Sequence, residues 1–148
     1  MVIEKATADD IPGLCKLLDI LFSQEVEFKS DHSAQELGLR TILANPDVGT
    51  ILVARKSNRI IGMVNLLFTI STALGGRVAI LEDMVVSPTE RGSGIGSSLL
   101  DAAIVTAREN GCKRITLLTD GSNEIAHQFY KKHGFNFSQM VPFRLTLT

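Results

Sequence analysis

The sequence predicts an α/β fold, a mixed and mostly antiparallel sheet of about seven strands with helices on both faces. Two observations carry this prediction. Apolar residues repeat at helical spacing in some segments and form short β-branched runs in others, and glycine or polar clusters separate these segments. The predicted order of elements is β-α-α-β-β-β-α-β-α-β-β. The length of 148 residues, with 45% hydrophobic and 21% charged residues, predicts one domain spanning residues 1–148.

The first half of the chain is predicted to contain one strand, two helices and a hairpin. Asp9 or Asp10 is the expected N-cap of the first helix, and Pro12 falls in its first turn, where proline fits. The dipeptide Asn45-Pro46 ends the second helix. The predicted bounds are 2–6 for the strand, 11–28 and 34–44 for the helices, and 50–55 and 59–70 for the hairpin strands.

Glycines divide the second half of the chain. Gly75 and Gly76 mark a turn before a strand at 77–86, and a loop at 87–91 leads into a helix that Gly111 ends. Gly134 closes another helix, predicted at 122–133. The remaining strands are predicted at 113–119, 135–137 and 143–148.

Composition excludes several functional classes. The formal net charge of −1 gives no global basic field for nucleic acid or an anionic membrane. Cys15 and Cys112 lack metal-ligand spacing and are predicted to be reduced and mostly buried, as in a cytoplasmic protein. No secretory signal and no membrane-spanning apolar run is recognised. The expectation is a cytoplasmic protein that binds no nucleic acid, no membrane and no metal.

The segment RGSGIG, residues 91–96, joins a strand to a helix. The first N–H groups of a helix have no acceptor inside the helix and carry partial positive charge. Glycines leave these groups accessible, so a phosphate or pyrophosphate would rest on them, with Arg91 as a nearby cation. The alternative is a glycine-rich turn that only lets the helix pack closely on the sheet.

Two common phosphate-binding loops fit this segment poorly. A P-loop requires a lysine after its last glycine, whereas Ser97 and Ser98 follow Gly96. A dinucleotide-binding loop requires G-x-G-x-x-G directly after its strand, whereas residues 87–90 intervene here. Glu82 and Asp83 are also unusual in a strand that is buried on both faces.

A second motif, NEIAHQFYKKHGF at residues 123–135, follows after one predicted strand. Together the two motifs make residues 81–135 resemble the GCN5-related N-acetyltransferases (GNAT superfamily). That family has the pattern Q/R-x-x-G-x-G/A and, later, Asn, Ala, Phe-Tyr and Gly-Phe. The amino-terminal third matches in element order only. The resemblance implies a GNAT fold and an acyl-CoA-dependent N-acyltransferase with acetyl-CoA as its cosubstrate.

The resemblance also implies where the cosubstrate binds. Its pyrophosphate would lie on the amides of the glycine loop, and its pantetheine arm would pair with the preceding strand. The thioester carbonyl would be held by the N–H of Val85 or Val86. Lys131 or Lys132 would meet the adenosine 3′-phosphate, with capping of the helix end as the alternative. The predicted cofactor-binding residues are Met84, Val85, Val86, Arg91, Gly92, Ser93, Gly94, Ile95, Gly96, Ser97, Asn123 and Tyr130.

Acyl transfer to a primary amine needs a base and an acid, because an alkylammonium with a pKa of about 10.4 has no free lone pair. Tyr130 occupies the general-acid position of the family, and a tyrosine that only packs on the sheet is the alternative. Glu82 and Asp83 are the candidate bases, and adjacent strand residues should face opposite sides of the sheet. Glu82 is favoured because it shares parity with Met84 and has the longer side chain. A solvated or salt-bridged acid is the alternative for both.

The acceptor site is the least defined part of the sequence. Family layout points to Phe28, Asp31, His32 and residues 140–143, whereas His127 is expected on a solvated face and His133 at a helix end. The expected reaction is direct attack by a small-molecule or peptide amine in a ternary complex. The sequence leaves the oligomeric state open, and the resemblance allows a homodimer because dimers are common in the family. The alternatives are a non-catalytic CoA-binding module and a nucleotide-binding domain.

Overall fold

Five strands form a single sheet in chain order in the computed structural model, which describes residues 1–24 and 31–148. The first four strands pair antiparallel, and the last pairs parallel with its neighbour. The mixed sheet of the predicted α/β fold is therefore confirmed. The strands are β1 (Val2–Lys5), β2 (Gly49–Lys56), β3 (Arg59–Ser71), β4 (Gly76–Val86) and β5 (Ile115–Leu117).

Four α-helices and two short 3₁₀ turns complete the described structure. The helices are α1 (Ile11–Gln24), α2 (His32–Ala44), α3 (Ile95–Glu109) and α4 (Glu124–Lys132), and the turns are Ala8–Asp10 and Pro88–Glu90. The chain divides into two compact units, 1–118 and 119–148. The first unit holds the sheet and α1 to α3, and the second holds α4. That residues 1–148 make one domain stays a prediction.

The start of α1 differs in detail from the prediction. Thr7, not Asp9 or Asp10, is the N-cap of the 3₁₀ turn that leads into this helix. Asp10 instead accepts a hydrogen bond from the Thr7 N–H at 2.9 Å, as the distal residue of a capping box. Arg55 also donates to Asp10 from β2, so this carboxylate ties the helix entry to the sheet.

The prediction of about seven strands is wrong, because the two expected carboxy-terminal strands do not form. Residues 135–148 contain no strand in the described structure. Alternating apolar residues favour a strand, but a strand forms only where a neighbour supplies backbone donors and acceptors. The apolar side chains of this segment are exposed accordingly: Phe137, Met140, Val141, Phe143, Leu145 and Leu147.

Helices cover both faces of the sheet in the first unit, as predicted. Met63 of β3 belongs to the core cluster that includes Leu14 and Leu18 of α1. The adjacent Gly62 lies against Leu99 of α3, which is completely buried. Because adjacent strand residues face opposite sides, α1 and α3 pack on opposite faces. No helix among the described residues is long and apolar enough to cross a membrane.

Candidate active site

A β-bulge interrupts β4 at Asp83. Val85 pairs with Met63 and Glu82 pairs with Asn65, so two residues of β4 stand opposite one residue of β3. Asp83 adopts a φ of +55°, in the left-handed region that non-glycine residues rarely occupy. Such strain is costly, by about 1–3 kcal/mol, and it concentrates at functional sites.

The bulge overturns the predicted orientation of the two candidate bases. Met63 and Asn65 are two residues apart on β3 and share a face, so their partners Val85 and Glu82 share it too. Asp83 also reaches this face, since its carboxylate accepts a hydrogen bond from the Asn65 side chain. The expectation that only one acid faces a given cleft is therefore wrong. So is the parity argument for Glu82, because the extra residue breaks the alternation.

Asp83 lies in a setting that disfavours its charged form. It is partly buried, and burial raises the pKa of its carboxyl above the usual value of 3.8. The hydrogen bond that Asn65 Nδ2 donates to Asp83 Oδ2, at 3.3 Å, acts in the opposite direction but does not cancel the effect. A raised pKa brings a carboxylate closer to the range in which a general base works well.

A cavity of about 300 Å³ opens on this face, between α1, α2 and the sheet. Both candidate bases line it, and so does Asp31, the N-cap of α2. The other described lining residues are mostly apolar. They are Leu18, Phe22, Ala34, Gln35, Gly38, Leu39, Ile42, Asn65 and Leu67.

Two of the lining residues, Asn65 and Gln35, were not anticipated from the sequence. Their amide oxygens are buried and have no hydrogen-bond partner among the described residues. Asn65 is 2% exposed and Gln35 is 8% exposed. The available signal was a lone amide within the apolar run MVNLLF at 63–68, which a buried strand accommodates only where that amide finds a partner.

Two glycines of the loop adopt left-handed backbone conformations. Gly92 and Gly94 adopt φ values of +86° and +83°, and a Cβ atom on either would meet no other atom within 4 Å. Gly94 is the N-cap of α3, and no side chain caps this end. The space beside the two glycines is open and no side chain caps α3, which fits a pyrophosphate resting at this helix end.

Neighbouring side chains hold the loop rather than extend from it. Ser93 Oγ donates to the Glu90 carbonyl at 2.8 Å, and Arg91 Nε donates to the Val86 carbonyl at 3.1 Å. The side chains of Ser93 and Arg91 therefore stabilise the loop, and Arg91 is held at the end of β4. Ile95 is buried, so it could contact a ligand only through its backbone N–H.

The ladder between β4 and β5 covers only residues 79–81 of β4. In the described structure, the carboxy-terminal part of β4 therefore has no strand partner on that edge. Ser87 N–H donates to the Ile61 carbonyl, on the β3 side. Backbone groups alternate along an antiparallel pair, so Val85 also faces β3, whereas Val86 faces the other edge. Of the two predicted carbonyl-binding amides, this alternation favours Val86.

The remaining candidates lie in the second unit. Asn123 is the N-cap of α4 and accepts a hydrogen bond from the Ala126 N–H at 3.0 Å. The Tyr130 ring packs edge-on against Phe129 and Phe135, and burial raises the pKa of Tyr130 to about 12. The phenol therefore stays protonated, and available as a donor, across the physiological range.

His127 and Lys131 of α4 also have defined contacts. His127 is buried, hydrogen-bonded to the Asp120 carbonyl and packed edge-on against Phe137, so its prediction as a solvated residue is wrong. Lys131 Nζ lies 4.2 Å from the Phe137 ring centroid. His133 is the C-cap of the helix, as expected.

The residues predicted for the acceptor site lie in different parts of the structure. His32 Nε2 lies 2.8 Å from Asp19 Oδ2, so it pairs with α1, and Phe28 falls outside the described residues. Met140 and Phe143 are exposed in the second unit. Among the members of this set that the structure describes, Asp31 alone lines the cavity.

Known proteins resemble the chain over nearly its full length. The model of the acetyltransferase (GNAT) family matches residues 14–135. An uncharacterized N-acetyltransferase, YhfO of Bacillus subtilis, is 34% identical over 138 residues, covering 91% of this chain and 89% of the relative. The aminoalkylphosphonate N-acetyltransferase of Salmonella typhimurium is 30% identical over 141 residues, covering 95% and 86%.

A solved structure supports the fold. A predicted acetyltransferase from Clostridium acetobutylicum, crystallised with acetyl-CoA, superposes with a TM-score of 0.79 at 24% identity, over 97% of this chain and 95% of that one. The prediction of an acyl-CoA-dependent N-acetyltransferase is confirmed by these matches. The chain belongs to the acetyltransferase (GNAT) family.

Proposed function

We propose that the chain transfers the acetyl group of acetyl-CoA directly to a primary amine in a ternary complex, with Asp83 as the base. One observation carries the proposal: Asp83 lines the cavity beside α1 and α2, on the same strand as Val86 and beyond the ladder with β5. A base in the cavity thus adjoins the strand edge on which an extended thioester arm would lie.

The glycine loop supplies the binding energy for the other end of the cosubstrate. The first amides of α3 would bind the pyrophosphate, and Gly92 and Gly94, whose positive φ favours glycine, leave the adjacent surface without side chains. The guanidinium of Arg91 lies close by, at the end of β4. Acetyl-CoA supplies the activated acyl group once it is bound.

The carboxylate of Asp83 takes the proton that the acceptor must lose. An ammonium has no lone pair, so deprotonation precedes attack. The amine nitrogen then forms a bond to the acetyl carbon, and the carbon–sulfur bond breaks. By the family resemblance, the sulfur would leave as a thiolate that accepts a hydrogen bond from the Tyr130 phenol, and the nitrogen would lose its second proton to solvent as the amide forms.

The high pKa of Tyr130 defines what this residue contributes. A thiol has a pKa of about 8.5, so complete transfer from a phenol with a pKa of about 12 is uphill. Tyr130 therefore acts mainly by donating a hydrogen bond to the sulfur as negative charge develops there. Such a donor stabilises the transition state without changing its own charge.

The acceptor substrate is an amine. The Salmonella relative is named for an aminoalkylphosphonate, which supports a small amine as the acceptor here. A cytoplasmic location and a homodimeric assembly remain predictions.

Calorimetry with acetyl-CoA and a thiol-release assay with a panel of amines test the proposal. Binding of acetyl-CoA and release of CoA that depends on an amine are expected. Binding without release for any amine would favour a non-catalytic CoA-binding module. Absence of binding would overturn the assignment of the glycine loop.

A further inference from the structure

The cavity contains two buried amides whose orientation is fixed by neighbouring carboxylates. Asn65 Nδ2 donates to Asp83 Oδ2 at 3.3 Å, and Gln35 Nε2 donates to Asp19 Oδ1 at 3.2 Å. An ionised carboxylate only accepts hydrogen bonds, so each amide must turn its NH₂ group toward its carboxylate. Each amide therefore presents its oxygen elsewhere, and neither oxygen has a partner among the described residues.

An unpaired buried acceptor is costly, by about 1–3 kcal/mol. Both described residues that carry such an acceptor line the cavity, Asn65 from β3 and Gln35 from α2. A ligand that brings a hydrogen-bond donor to each oxygen removes both costs. A ligand with a single donor removes only one.

The other lining residues determine the chemistry of the rest of the ligand. Leu18, Leu39 and Ile42 form apolar walls, and Glu82 and Asp31 add negative charge. None of the described lining residues is a lysine or arginine. Carboxylates and amide oxygens attract a cation and repel a phosphate or phosphonate.

We propose that the cavity binds an amine acceptor with an apolar stem and a second N–H donor, as in an aliphatic diamine, and that Gln35 Oε1 recognises the second donor. This inference rests on the proposed function. The reacting ammonium lies at Asp83 and Asn65, where its proton can pass to the carboxylate. The second N–H donor of the ligand lies at Gln35 of α2.

Three amines of equal carbon chain length test the proposal: butane-1,4-diamine, butylamine and 4-aminobutylphosphonate. We expect kcat/KM for the diamine to exceed that for butylamine by about 10- to 100-fold, the range for a hydrogen bond to a charged group. The phosphonate should be the poorest acceptor. Equal rates for diamine and butylamine, or a preference for the phosphonate, would overturn the proposal.

The Gln35→Met variant separates recognition from structure. Methionine keeps the length of the side chain and removes both donor and acceptor. We expect kcat/KM for the diamine to fall toward the value for butylamine, and the loss for butylamine to be much smaller. An equal loss for both amines would assign Gln35 a structural role and contradict the inference.

Calorimetry with acetyl-CoA distinguishes failure of this inference from failure of the proposed function. Wild type that binds acetyl-CoA but acetylates none of the three amines would overturn the cavity assignment. Wild type that does not bind acetyl-CoA would instead overturn the proposed function.

Discussion

The carboxylate of Asp83 lies 3.3 Å from the side-chain nitrogen of Asn65, across the β3–β4 ladder. The contact exists only because the bulge turns Asp83 onto the face that Glu82 already occupies. Burial and the hydrogen bond act on this acid in opposite directions, and burial prevails. The balance between them makes the ionisation of Asp83 measurable through protein stability.

The free energy of unfolding should fall with rising pH through the titration of Asp83. Its pKa is raised in the folded state, so between the unfolded value and the folded value the native protein binds more protons than the unfolded chain. Stability is therefore greatest below about pH 3.8 as far as this group is concerned, and it declines as pH rises through the folded pKa. Urea unfolding of wild type and Asp83→Asn measures the difference.

The Asn65→Leu variant provides the matched comparison for that measurement. It removes the hydrogen bond that lowers the pKa of Asp83, so the pH-dependent loss of stability should grow. Identical pH dependence in wild type and Asp83→Asn would show that burial does not perturb this carboxyl.

Asp83→Asn should lower kcat by about 10²- to 10⁴-fold, the usual contribution of a general base. The amide keeps the size of the side chain but accepts no proton. Glu82→Gln is the control, because Glu82 lines the same cavity yet is exposed. We expect it to lose much less activity, measured as initial rates of thiol release at saturating acetyl-CoA.

A large loss in Glu82→Gln together with a small loss in Asp83→Asn would identify Glu82 as the base. That result would support the interpretation from side-chain length that the sequence favours. It would also mean that the strained backbone at Asp83 serves to orient its neighbour.

The sequence predicted the elements well where local chemistry determines them. Gly92 and Gly94 have positive φ, which favours glycine at these positions of the motif at 91–96. The glycine spacing in the sequence is enough to predict such a loop. The orientation of Glu82 and Asp83 was not predictable in the same way. It depends on one extra residue in β4 relative to β3, which no periodicity of either strand reveals.

Tertiary contacts account for the other differences between the sequence-based predictions and the structure. His127 has polar neighbours in sequence, yet the Asp120 carbonyl and the Phe137 ring bury it. Residues 143–148 alternate like a strand but have no strand partner in the described structure. Asn65 and Gln35 lie 30 positions apart in the sequence, and only the fold brings both to one cavity.

Gly94→Val should abolish measurable binding of acetyl-CoA in calorimetry. The added side chain would occupy the open space beside the first amides of α3. Valine is also strained at a φ of +83°, so backbone strain needs its own control. Gly75→Val supplies it, since Gly75 has a φ of +71° and equally open space, in the turn between β3 and β4.

Both glycine variants should lose similar stability, about 1–2 kcal/mol for a side chain in the left-handed region. Only Gly94→Val should lose the affinity for acetyl-CoA. Wild-type affinity in Gly94→Val, or an equal loss in Gly75→Val, would contradict the assignment of the loop as the pyrophosphate site.

Tyr130→Phe should lower kcat by about 10²-fold while leaving the affinity for acetyl-CoA nearly unchanged. Phenylalanine keeps the ring contacts with Phe129 and Phe135, so the variant removes the hydroxyl alone. Since burial raises the pKa of Tyr130 to about 12, its ionisation should cause no alkaline loss of activity below that pH. The kcat profiles of wild type and variant should therefore run parallel across the neutral and mildly alkaline range. An unchanged kcat would remove Tyr130 from the acid's role, and an alkaline limb present only in wild type would show that the phenol ionises during turnover.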